Sequence, residues 1–193
     1  MFRRFLGVIL VFALSPALAG DLSYSFIELG YQKADIDAGL AGIDVDGDGY
    51  GIRGSFEVGE NWFIPVSYSA LSFDLGVDLD QLSAGVGYHG ELSSGTDFFA
   101  TLSYLRAEVS ASGFGSADES GYGATIGVRG MLTDAVELSG SIGYSDLGDG
   151  ADGTAFGASA LYSFTDNFAL GFNLGFEEDV TIYGVGARFY FGN

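Results

Sequence analysis

Residues 82–89 read Leu82-Ser83-Ala84-Gly85-Val86-Gly87-Tyr88-His89, with an apolar or aromatic side chain at every even position and a small or polar one at every odd position. Alternation with period two is the mark of a strand with one greasy face, because a helix would repeat every three to four residues. Segments of the same kind precede it: Ile27, Leu29 and Tyr31; Tyr50, Ile52, Phe56 and Val58; Ile64, Val66, Tyr68 and Ala70. Others follow: Phe98 to Tyr104, Tyr122 to Val128, Val136 to Tyr144, Phe156 to Tyr162, Phe168 to Phe176 and Tyr183 to Phe191. Ten such segments result. Each is about 10 to 12 residues long, the length a tilted strand needs to cross a bilayer.

The first nineteen residues differ in kind. Arg3 and Arg4 precede an apolar stretch from Phe5 to Leu14, Ser15-Pro16 interrupt it, and Ala17-Leu18-Ala19 supplies a small-x-small cleavage site. This stretch is too short for a spanning helix, which takes about 20 apolar residues. Residues 1–19 are therefore expected to be a cleaved export signal, and residues 20–193 one mature domain. Cleavage removes two arginines and no acid, taking the formal charge from −19 to −21. So acidic a chain repels phosphate backbones, which argues against nucleic acid as a partner. Cysteine is absent, which excludes disulfides and thiolate metal sites. Aromatic residues make up 15% of the sequence, far from the composition of a disordered chain.

The connections fall into two classes. Gly59-Glu60-Asn61, Thr133-Asp134 and Thr165-Asp166-Asn167 read as tight turns, and residues 91–97 as a slightly longer one. Between them lie stretches rich in Asp, Gly and Ser, longest at residues 35–48 and 110–120, which read as loops. Short turns on one side and longer loops on the other describe an outer-membrane barrel. The expected fold is all-β, an antiparallel up-and-down transmembrane β-barrel of ten strands, with eight as the alternative count.

A soluble barrel would put its large aliphatics inside. Here the apolar face carries more large side chains than a ten-stranded lumen could hold, and the polar face contains opposite charges suited to pairing indoors. The apolar face is therefore assigned to lipid. Closure is required because an open edge in lipid leaves backbone groups unpaired. Tyr31, Tyr104 and Tyr144 on the outer side, and Phe56, Tyr88, Tyr162, Phe168 and Phe189 on the inner, read as interfacial girdles.

The sequence resembles the small bacterial outer-membrane β-barrel proteins, and especially the compact xanthomonad-type barrels described as quorum or immunity factors. The resemblance is carried by the Leu22-Ser23-Tyr24 start, by Asp48-Gly49-Tyr50-Gly51, and by Gly-Tyr strand endings at Tyr31, Tyr88 and Tyr144. The last strand, with Gly186, Phe189 and Phe191, resembles the family's assembly signal, although Gly192 and Asn193 follow the final aromatic. The resemblance implies a place in the bacterial outer membrane, reached through the periplasm. It also implies contact with outer-membrane lipid, lipopolysaccharide, periplasmic chaperones and the assembly machinery, with the barrel itself a monomer.

Among candidate functional residues, Arg53, Arg129 and Arg188 share the inward face with Glu28, Glu57, Glu91, Glu137 and Glu177. Barrel closure brings Glu28 near Arg188, and a tight hairpin sets Arg129 diagonal to Glu137. Arginine in a low-dielectric interior needs carboxylate partners, so Arg53, Arg129, Arg188, Glu28, Glu57 and Glu137 are expected to form a salt-bridge network. A structural plug is the reading preferred over a selectivity filter. The single histidine, His89, faces inward beside Glu91, which raises a general base. It lies at the inner end, and no nucleophile motif accompanies it, so no enzyme is expected. Asp44-Val45-Asp46-Gly47-Asp48-Gly49 matches the first half of a calcium loop. Position twelve is Ser55 rather than Glu, so Asp44, Asp46 and Asp48 suggest at most a weak calcium site, and otherwise no cofactor. The acids beyond the strands would also attract divalent ions that bridge lipopolysaccharide phosphates. The leading functional reading is a structural or surface-interaction barrel. The alternative is a narrow porin-like pore for small solutes or ions, suggested by small lumen residues such as Gly85, Gly87, Gly127, Gly143 and Ser141.

Overall fold

The computed structural model describes residues 22–37, 44–74, 76–148 and 151–191, without the side chains of Asp37 and Asp44. The expected signal at residues 1–19, Gly192 and Asn193 lie outside them. Ten strands follow in order: β1 (Phe26–Asp37), β2 (Asp44–Val58), β3 (Trp62–Phe73), β4 (Val77–Ser93), β5 (Thr96–Ala111), β6 (Gly115–Thr133), β7 (Val136–Asp146), β8 (Asp152–Thr165), β9 (Phe168–Glu177) and β10 (Val180–Tyr190). Each pairs antiparallel with its neighbour in sequence, and β1 pairs with β10 from Phe26–Tyr190 to Ile36–Val180, closing the barrel.

Every strand turns a large apolar side chain outward and exposes it: Ile27, Ile52, Ile64, Leu82, Leu102, Ile126, Ile142, Phe156, Phe172 and Val185 in strand order. Such an outer face suits acyl chains and no aqueous surface. Aromatic contacts mark its two borders. On one side Tyr31 meets Tyr50 and Tyr104 meets Tyr122; on the other Trp62 meets Tyr88, Tyr88 meets Phe98, and Phe164 meets Tyr162 and Phe168. The second border shares its end with Leu22 and Phe191, where the described chain begins and ends, and with the tight turns, and so is the periplasmic one.

The loops expected at 35–48 and 110–120 are largely strand. β1 runs on to Asp37, β2 already begins at Asp44, and the β5–β6 hairpin turns only at residues 112–114. At the periplasmic end the turn expected over 91–97 contracts to Ser94-Gly95, with Gly95 at a φ of 72° that favours glycine. Strand lengths therefore reach 19 residues in β6, not the 10 to 12 expected.

The reason for the extra length is a reversal of face. Along β1 the inward positions run Phe26, Glu28, Gly30, Gln32, Ala34, and the outward ones Ile27, Leu29, Tyr31, Lys33, Asp35; past the inward Phe26 the apolar residues face out as far as Tyr31, and above it Ala34 faces in while Lys33 and Asp35 face out. β3, β4 and β5 reverse likewise. Leu71, Leu79, Leu105, Ala107 and Val109 turn inward above the outer tyrosines, while Asp78, Asp80, Arg106 and Glu108 turn outward. Acidic residues on the outer face disguised a strand as a loop, because the surrounding solvent changes from lipid to water there.

Candidate functional site

The lumen is filled in three layers. At the outer end Ala34, Val45, Leu71, Phe73, Leu79, Leu105, Ala107, Val109, Leu147, Val180 and Ile182 form one buried apolar cluster, with Ile36, Val77 and Ala151 packed against it. This resembles the core of a soluble barrel and lies beyond the outer tyrosine girdle. At the periplasmic end Tyr24, Phe26, Phe63, Phe99, Leu161, Ala169 and Tyr190 form a second cluster. Polar side chains lie between them.

The middle layer centres on Glu28. Its neighbours in the sheet are Arg53 on β2 and Arg188 on β10, each its direct cross-strand partner. Arg53 Nη2 bonds Glu28 Oε1, and Arg188 approaches Glu28 Oε2 through Nε at 2.8 Å and Nη2 at 2.5 Å. Two guanidinium groups on one carboxylate leave a local positive excess, part of which is met by π faces. Arg188 lies 3.9 Å above the Phe26 ring. Asn173 Oδ1 accepts a 3.5 Å contact from Arg53. A small chamber beside this layer is lined by Gln32, Ser67, Ser69, Gln81 and Ser83. Gly186 makes room for the arrangement, since a β-carbon there would meet Glu28 Oε1 at 2.7 Å.

The lower ion pair is separate. Arg129 and Glu137 are fully buried, with Nε 3.5 Å from Oε1, on residues diagonal across the β6–β7 hairpin. Above the Arg129 guanidinium lies the Tyr24 ring, 4.1 Å from Cζ to centroid. Tyr24 also stacks on His89 and Phe63, and its hydroxyl donates to Asp97 Oδ2 at 3.2 Å. Burial pushes the Tyr24 phenol well above its usual range, so it remains neutral. Leu22, Ser23 and Tyr24 precede β1 and are all buried, so the start of the described chain turns into the periplasmic mouth and stoppers it.

The six residues expected to form one charge network thus divide. Glu28, Arg53 and Arg188 meet in the middle and Arg129 pairs with Glu137 below. Glu57 lies at the rim, 3.6 Å from His89 Nε2. His89 Nδ1 faces Asp97 at 3.3 Å, while Glu91, expected to be its neighbour, is exposed. Glu177 is buried on β9. Of the assembly-signal residues, Gly186 is buried, Phe189 faces outward, and Phe191 packs on Phe56 with centroids 5.6 Å apart. Asp46 and Asp48 stand on the outward face of an extended strand rather than in a wrapped loop, and Asp48 accepts a bond from Tyr31 Oη at 3.1 Å. Among the described residues no group of three His, Cys, Asp or Glu side chains converges as a metal site would require.

Sequence reasoning missed Phe63, Phe99, Asp97 and Tyr24. The available signal was the doublet. Trp62-Phe63 and Phe98-Phe99 each place one ring in lipid and the next in the lumen. Those inward rings occupy the space left by glycine: a β-carbon on Gly87 would strike the Phe63 ring, and one on Gly127 the Phe99 ring.

Residues 5–164 match the outer membrane protein beta-barrel domain family. The chain belongs to that family. Its place is the bacterial outer membrane, as the lipid-facing exterior requires. Among solved structures it is similar to the KdgM porin in complex with disordered oligogalacturonate, at 11% identity over 86% of this chain and 99% of that one, with a TM-score of 0.51. Neisserial surface protein A is 18% identical over 88% of this chain and 98% of that one, with a TM-score of 0.46. Ail, the attachment invasion locus protein of Yersinia pestis, is 14% identical over 86% and 96%, with a TM-score of 0.39. These likenesses concern fold. No curated protein matches the sequence.

Proposed function

We propose that this outer-membrane barrel is a closed, non-catalytic scaffold that presents a folded acidic surface outside the cell and conducts no solute. The observation that carries this reading is the apolar cluster above the girdle, where Leu79 and Val109 are fully buried across what would be the mouth of a pore. Water and ions would have to cross a packed hydrocarbon layer there, and the Tyr24 stopper below adds a second barrier. Two of the glycines that suggested a pore, Gly87 and Gly127, are positions where Phe63 and Phe99 enter the lumen. Reconstitution in planar bilayers tests the proposal. The expected result is a silent membrane, and reproducible single-channel steps from the full-length mature protein would refute it.

The exterior above the girdle is strongly acidic because three of the seven cations, Arg53, Arg129 and Arg188, are spent inside the lumen and two more lie in the expected signal. Only Lys33 and Arg106 remain to face outward. Such a surface suits divalent ions that bridge lipopolysaccharide phosphates. A chelator should then speed proteolysis of the outer strands in lipopolysaccharide-containing vesicles; an unchanged rate would dispose of this role.

A further inference from the structure

The geometry points to the free edge of β6, Gly115–Ser120, as a strand-addition site for an extended peptide carrying lysine or arginine, a partner class for the surface proposed above and dependent on that reading. Closure removes every sheet edge within the membrane, but not above it. β6 pairs with β5 as far as the Ala111–Gly115 pair, whereas its pairing with β7 stops at Tyr122–Asp146. At Gly121 the end of β7 still crosses close by, since a β-carbon there would strike the Asp146 carbonyl. Beyond it, among the described residues, no strand pairs with the β7 side of β6. The unpaired run is about 20 Å long at the usual rise of a strand.

This margin is not part of the outer core. The apolar cluster takes Leu105, Ala107 and Val109 from β5 but nothing from β6, and residues 115–118 and Ser120 are exposed. An open row of N–H and C=O groups is a template for another strand. Its charge selects which strand. Asp118 and Glu119 lie on the edge strand, Glu108 sits opposite Asp118 on β5, and Asp146 closes the lower end. Arg106 is the neighbouring cation, and Asp118 holds it at 3.3 Å. A second copy of this chain would bring the same acids to the same edge, which like-charge repulsion opposes. A basic strand completes the hydrogen-bond ladder and neutralises the acids. Phe114, 85% exposed at the hairpin tip, offers it an apolar contact.

The test uses the full-length mature protein in nanodiscs and a labelled octapeptide of alternating lysine and threonine, followed by fluorescence anisotropy. Saturable binding is expected. It should weaken at least tenfold when alternate peptide nitrogens are methylated, which removes ladder donors and leaves the charge. Asp118→Lys with Glu119→Lys should weaken it similarly and admit the glutamate–threonine counterpart. Equal binding of the methylated peptide would overturn the proposal by showing attraction through charge alone. So would no binding, or concentration-dependent dimerisation through this edge in place of peptide capture. Conductance measured on the same preparation separates the two readings: a silent barrel that ignores the peptide sinks only the edge, and a conducting one that binds it sinks only the plug.

Discussion

Tyr24 lies against His89 with ring centroids 3.8 Å apart and planes 20° from parallel, joining the segment before β1 to the inner end of β4. The same ring covers Arg129 and its hydroxyl reaches Asp97, so one residue ties a cation, an imidazole and a carboxylate into the periplasmic stopper. Stacking and cation–π contact need the ring, whereas only the Asp97 bond needs the hydroxyl.

Tyr24→Phe should therefore cost about 1 kcal/mol, the net worth of one hydrogen bond. Tyr24→Ala should cost about 3 to 5 kcal/mol by emptying a buried aromatic site. Urea unfolding of the protein in lipid vesicles measures both. Equal losses for the two variants would show that the ring's packing does not matter.

In the middle layer the Glu28 carboxylate bonds both Arg53 and Arg188. Glu28→Gln leaves two buried guanidinium groups without their counter-charge and should destabilise the barrel by about 3 to 5 kcal/mol. Replacing Glu28, Arg53 and Arg188 together by glutamine and two methionines should cost less than the single change, because no unpaired charge remains. Unfolding midpoints of the single and triple variants decide the matter; a triple variant weaker than Glu28→Gln would contradict the electrostatic account.

What the sequence disclosed, and what it concealed, follows from one limit of pattern reading. Strand count, closure and the lipid face were legible because the Ile27–Tyr31 kind of alternation depends only on period two. The pairing of Glu28 with Arg188 was legible because the first and last strands of a barrel must meet. The outer reaches of β5 and β6, with Ala107, Val109 and Glu119, escape pattern reading because the period continues while the solvent outside changes, so the apolar set moves to the other face. The partners of His89 were misread because Asp97 and Glu57 reach it from other strands, and no local spacing records that.

Gly87 and Phe63 are direct neighbours across β3 and β4, and the phenyl ring lies over the glycine. Gly87→Ala should be destabilising on its own, because the added methyl group and the ring claim the same space. Combined with Phe63→Leu, which withdraws the ring, it should cost less than the two single changes added together, by about 1 kcal/mol or more. A double-mutant cycle in urea provides the test. Strict additivity would mean that Gly87 is kept for another reason.

The outer apolar cluster predicts that the molecule has two separately perturbable parts. Leu79 and Val109 are fully buried above the girdle, where the surroundings are water rather than lipid. An aspartate at either position buries a charge with no cation to meet it, a cost the outer strands can avoid only by opening. The barrel within the membrane does not share that core: its strands are held by a closed hydrogen-bond ladder and by lipid on their outer face. Leu79→Asp or Val109→Asp should therefore make the β4–β6 extensions susceptible to protease added outside, while the membrane-embedded remainder keeps its resistance and its gel mobility when unheated. Loss of both together would show that the outer cluster is part of one cooperative unit with the transmembrane barrel.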